Sequence, residues 1–92
     1  MTLGTNERAC FSDMLETYRI ILQMATEENK LPKMELMVSA TMLKAFSGYC
    51  FLEGKIGEKE YTYIRDFNIV SGIPNHKAFY DILKRWTGKT EV

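Results

Sequence analysis

The chain holds one histidine, His76, and two cysteines, Cys10 and Cys50, forty residues apart. Zinc chelation by neighbouring side chains uses ligand spacings of a few residues, and no His or Cys pair here has one. No metal and no cofactor is therefore expected, and His76 reads as a solvated residue at the start of a helix. Nucleophilic catalysis needs a serine or cysteine beside a base that is itself oriented. A single histidine allows one such arrangement, and both cysteines fall on or near apolar stripes, where they read as core thiols. Carboxylates cluster at Glu27-Glu28 and at Glu58 and Glu60. Both clusters sit at helix ends, and Glu58 and Glu60 favour the dipole of a first turn. A general acid also needs an apolar pocket to raise its pKa, and nothing in the pattern indicates one. The glycines are dispersed, mostly at segment ends, and form no phosphate loop. The expectation is a protein that is not an enzyme and has no small-molecule substrate.

Two binding chemistries compete for what remains. The first is apolar. Ile20 and Met24 fall toward the polar side of the first helical segment, and Met37 and Phe51 intrude on the polar side of the second. Single exposed apolar residues are ordinary, but four on adjacent helices form a candidate partner patch, and methionine suits such surfaces because it is flexible and polarizable. The second is basic. Tyr63–Trp86 resembles a helix-turn-helix, with a helix ending at Ser71-Gly72, a hydrophobic residue, and a second helix opening after Pro74-Asn75. Its exposed face would offer Asn75, His76, Lys77, Tyr80, Lys84 and Arg85, which can donate to phosphates, while asparagine can also read a base edge. From Ile73 onward four basic residues stand against Asp81 and Glu91. The turn is one residue longer than the motif's usual spacing, and a plain turn between two ordinary helices is the simpler reading.

The elements that must position these residues follow from periodicity and punctuation. Turn signals fall at Asn29–Pro32, Gly54–Gly57 and Ser71–Asn75 and divide the chain into four segments. The first, about 7–28, carries Phe11, Met14, Leu15, Tyr18, Leu22 and Ala25 on one stripe at about 100° per residue. Thr5 or Asn6 is expected to cap it. The second, about 33–53, starts after Pro32 and stops at Gly54. Leu36, Ala40, Leu43 and Cys50 lie on one flank, Met42, Phe46 and Tyr49 beside it, and Val38, Ala45 and Leu52 beyond. That arc is wider than the roughly 100° stripe of a surface helix. The segment is therefore expected at the centre, surrounded by its neighbours, with Lys33, Thr41, Lys44 and Lys55 marking its wet face. The third, about 58–70, mixes strand-favouring residue types with helical spacing, and helix is the preferred reading because Arg65-Asp66 makes a poor hairpin turn. The fourth, about 75–86, is capped by Asn75, stopped at Thr87-Gly88, and lined by Ala78, Phe79, Ile82, Leu83 and Trp86. The ends, 1–5 and 88–92, are expected to be disordered.

Ninety-two residues make one domain, which buries roughly 60–65% of its unfolded surface in one core. Apolar residues are 46% and charged residues 26%, ordinary values for a folded protein. Twelve basic residues balance twelve acidic ones. Net neutrality provides no whole-molecule attraction to nucleic acid or an anionic membrane and little repulsion between copies. No apolar run approaches the roughly 18–20 residues of a membrane span, and the opening residues lack a signal peptide's basic start and apolar stretch. A cytoplasmic protein with reduced cysteines is expected. The expected fold is all-α, a compact four-helix bundle-like single domain, 1–92, with a central second helix. The expected function is a non-enzymatic protein-interaction module, an adaptor, inhibitor or regulatory subunit, which binds a larger protein or self-associates. The alternative is a helix-turn-helix DNA-binding regulator using the helix after Gly72.

Overall fold

The computed structural model describes residues 2–27 and 33–88. Four helices make up the fold: α1 (Thr5–Glu27), α2 (Lys33–Leu52), α3 (Glu58–Asp66) and α4 (Ile73–Gly88). Among the described residues there is no strand. The all-α bundle-like architecture read from the periodicity is the one observed, and the ambiguous third segment is helical. The Asn29–Pro32 turn and the tail beyond Gly88 lie outside the described residues.

The starts of α1 and α3 share one device. Arg8 N–H donates to the Gly4 carbonyl, and the Glu7 carboxylate reaches back to accept from Gly4 N–H at 2.7 Å. Tyr61 N–H donates to Gly57 O, and Glu60 accepts from Gly57 N–H at 3.1 Å. A glutamate three residues past the cap thus satisfies an orphan amide at each start. This corrects the expected Thr5 or Asn6 cap: Gly4 holds that position, and a Cβ there would stand 2.9 Å from Glu7 Oε1. It also corrects the expected disorder for residues 2–5. Thr2 N–H donates to Lys55 O, Leu3 is buried in the core with Ile56, and Lys55 Nζ pairs with Glu7 at 2.6 Å. An apolar side chain and an ion pair tie this segment to the end of α2.

Gly54 stops α2 as its position suggested. It stands at φ 72°, Gly54 N–H donates to Phe51 O and Lys55 N–H to Cys50 O. Those two bonds close the helix end in the way a left-handed residue allows. α3 ends at Asp66, four residues before the expected limit. Asn68 breaks it: its side chain accepts from Val70 N–H, and its carbonyl accepts from Ser71 N–H and Ser71 Oγ–H. Such local bonds offer the backbone an alternative to helix.

α4 starts two residues earlier than expected. The Gly72 carbonyl accepts from Asn75 and His76 N–H, so Asn75 lies inside the first turn and is not the cap. Pro74 falls where a missing N–H costs nothing. The buried stripe becomes His76, Phe79, Leu83 and Thr87. Ala78 is exposed, and Ile82 and Trp86 are half-buried.

α1 packs against both α2 and α4, and α2 against α1 and α3. Ring contacts join α4 to the third segment: Phe67 stacks on Phe79 at 4.0 Å, and Tyr63 meets Phe79 and Trp86. The Cα positions span 38 × 24 × 17 Å. With packed helix axes about 8–10 Å apart, the shortest dimension holds two layers of helix. In two layers every helix keeps an outer side. α2 is therefore flanked by two helices but not surrounded, which corrects the expectation of a central helix wrapped all round.

Candidate functional site

The outer side of α2 is apolar. Leu52 is 83% exposed and Met34 68%, and Val38, Met42 and Tyr49 are each about half exposed. Ala45 is exposed between them. These residues follow one another at steps of four, four, three, four and three. The buried residues Leu36, Ala40, Leu43, Ser47 and Cys50 keep the same three-and-four rhythm. At about 100° per residue the two rows lie roughly 170° apart. One row is the seam with the rest of the molecule, and the other is a second seam facing outward.

That outer row is free of charge. Between Leu36 and Leu52 the sole charged residue is Lys44, and its Nζ turns toward α3 to donate to Phe67 O at 2.8 Å. Thr41 spends its hydroxyl on Met37 O, one turn back. Across the α1–α2 groove, Asp13, Met14 and Thr17 face Ser39 and Met42 around a shallow 140 Å³ depression. On α1, Ile20 and Met24 are each 46% exposed.

The four residues expected to form an apolar patch divide. Ile20 and Met24 stand in solvent as expected. Met37 and Phe51 do not: both are half-buried, Phe51 under α3 and Met37 beside the segment that joins α3 to α4. Phe51 stacks on Tyr61 with ring centres 4.4 Å apart. Met37 lines a 510 Å³ cleft with Leu36, Ile69, Val70 and Ile73, and Lys33 and His76 also border it. Sequence reasoning had Val38, Met42, Ala45, Tyr49 and Leu52 on the greasy arc but assigned them to the interior. The signal present was their three-and-four spacing, a second complete row and not a broadening of the first.

His76 is the largest departure. It is 2% exposed and not solvated. Nε2 lies 3.1 Å from the Ile69 carbonyl, which only accepts, so Nε2 carries the proton and Nδ1 accepts from Tyr18 O–H at 2.5 Å. Phe67 meets the ring edge-on. Burial lowers the pKa of His76, against smaller upward pulls from its bonds to Ile69 and Ser71, and burial raises that of Tyr18. Both ring nitrogens are therefore committed to structural bonds. Among the described residues no group of three or more His, Cys, Asp or Glu side chains could hold a metal ion. Both cysteines are free thiols. Cys50 is buried, which raises its pKa, while Cys10 is exposed and not the core thiol its neighbours suggested.

The basic candidates divide between exposed and buried positions. Asn75, Lys77, Lys84 and Arg85 are exposed, Tyr80 is half-buried, and His76 is inside. Lys77 and Tyr80 share a shallow cleft with Glu27 and Asp81, while Lys84 lines another with Thr5, Arg8 and Ser12. Glu16 is held below the usual carboxylate range mainly by its bond to Arg19, and also by Lys84. Cations and carboxylates are interleaved along the α1–α4 side. Six residues, 67–72, separate α3 from α4, against the 3–4 of a helix-turn-helix. The connection is longer than the motif's, and His76, one of the candidate contacts, is inside the core.

Among the described residues no helix is long and apolar enough to cross a membrane. The chain matches no protein-family model, no curated protein and no solved structure.

Proposed function

We propose that this chain is a small, non-enzymatic protein-interaction module, an adaptor, inhibitor or regulatory subunit, that docks through the outer side of α2. The observation that carries the reading is the second apolar row. Met34, Val38, Met42, Tyr49 and Leu52 stand half exposed or more on one straight side of a 20-residue helix. Contiguous exposed apolar surface of this kind marks interaction sites, and two of its members are methionines, which adapt to a partner's shape. Ile20 and Met24 of α1 extend the apolar exposure beyond α2. A cytoplasmic setting is part of the proposal, supported by two free thiols.

The test is affinity capture from the native host's lysate, with and without nuclease, comparing the chain with a Val38→Gln/Met42→Gln/Tyr49→Gln variant. Nuclease-resistant capture that the variant loses is the expected result. Identical capture by both proteins, or capture abolished by nuclease, removes the reading.

A further inference from the structure

We infer that the occupant of the outer row of α2 is a second copy of this chain, packed antiparallel, with the two-fold axis passing between Met42 and Ala45. The inference rests on the reading of that row as a docking face, and it names the partner.

Register is the first support. In an antiparallel pair of helices centred between Met42 and Ala45, Met42 of one copy lies level with Ala45 of the other. Val38 then meets Tyr49, each contact occurring twice by symmetry, and at each end Met34 lies about one residue, roughly 1.5 Å, off the level of Leu52. The four inner positions find level mates and the two outer ones come within a residue of theirs, and the two inner contacts set a larger side chain against a smaller one. Such an isologous surface is what a two-fold dimer requires. A parallel pairing would instead put Tyr49 on Tyr49 and Ala45 on Ala45, crowding one layer and leaving a gap in the next.

Spacing is the second. Steps of three and four from Val38 through Leu52 are the seam of a two-helix coiled coil, in which each side chain enters a hole between four of the facing helix. The interface would run from Met34 to Leu52, about 27 Å at 1.5 Å per residue.

Charge and area are the third. Between Val38 and Tyr49 the facing rows bring no charged side chain together, since Lys44 is tied to Phe67 O on the α3 side; Glu35 and Glu53 flank the row only at its two ends. The whole chain is neutral, with twelve charges of each sign, so no long-range repulsion opposes association. Exposed to the fractions given above, the row presents on the order of 600 Å² per copy, close to the roughly 800 Å² per partner of a standard stable interface.

Two measurements on the full chain test this. Sedimentation equilibrium is expected to show a dimer with Kd on the order of 10 µM. Met42→Lys should weaken it at least about 10-fold while leaving the helical circular dichroism signal intact, because position 42 contributes little to the buried core. Spin labels in a Cys10→Ser background then read the register. Labels at Thr41→Cys should lie about 8 Å apart along the seam and labels at Glu53→Cys about 28 Å. Equal separations at the two positions mean a parallel dimer and overturn the proposal, as does a dimer that Met42→Lys leaves undisturbed. A chain that stays monomeric at about 100 µM, some tenfold above the expected Kd, overturns it too. If that monomer still captures a partner that the triple glutamine variant loses, the docking reading survives and the occupant is another protein.

Discussion

The two apolar rows of α2 carry similar residues at the same spacing, yet one is sealed and the other faces water. Leu36, Ala40, Leu43, Ser47 and Cys50 meet α1 and its neighbours. Val38, Met42, Ala45, Tyr49 and Leu52 stay exposed, with Met42 bordering α1 and Ala45 bordering α3 only at the edges of the row. The buried row includes small residues, Ala40 and Ser47, both 0% exposed, which let another element approach closely. The outer row carries longer and more flexible side chains around one alanine. Hydrophobicity alone says that a surface wants cover. The sizes along the row, and the number of layers the fold can build, say which row receives it from within.

Leu43→Ala breaks the comparison most strongly. Leu43 is fully buried, and a leucine-to-alanine change in a core costs about 2–5 kcal/mol, read as a fall in the urea midpoint. The neighbouring Met42→Ala should change the stability of the monomer by about 0.5 kcal/mol or less, measured where the chain is dilute. Equal losses at the two positions would show that the rows are not different in kind.

Tyr18→Phe should cost about 1–3 kcal/mol, because His76 Nδ1 loses its donor inside the core. A smaller change, specific to pH, distinguishes this buried pair from the solvated outer row. The folded pKa of His76 lies below its unfolded value of 6.5. Below that value the unfolded chain takes up a proton that the folded chain resists, so unfolded protein binds more protons and stability falls as pH drops. Urea denaturation of the chain between pH 7 and 5, minus that of His76→Gln, should therefore slope downward with acidity. A flat difference would place His76 in water after all.

Gly54→Ala should cost about 1–2 kcal/mol, since an alanine there must hold a left-handed backbone. The effect belongs to the end of α2 and should leave dimerisation unchanged once the helix is folded. Smallest of all is the triple change Lys77→Ala/Lys84→Ala/Arg85→Ala. With His76 buried and the cations interleaved with carboxylates, neither chain nor variant should shift duplex DNA at low salt. A salt-sensitive shift lost in the variant would revive the nucleic-acid reading.

The amino-acid sequence by itself determined the four helices, the stop at Gly54, and the α1 stripe of Phe11, Leu15, Tyr18, Leu22 and Ala25. Each rests on local causes: a period near 3.6, a glycine free to turn left-handed, a proline at a helix start. It also carried the excess of apolar circumference on α2. Tertiary structure alone decided which part of that circumference stays bare. α3 settled over Phe51 and the segment after it came beside Met37, so two residues assigned to water were half-buried, while Val38, Met42 and Tyr49, assigned to the interior, were left outside. His76 stands three residues before Phe79 and seven before Leu83, on the stripe α4 buries, and tertiary contact with Tyr18 and Ile69 supplied the polar partners it needs there. Local periodicity specifies a helix's faces, but which face is buried depends on where distant segments come to rest. In two layers of helices there is one inner side for each helix and always an outer one.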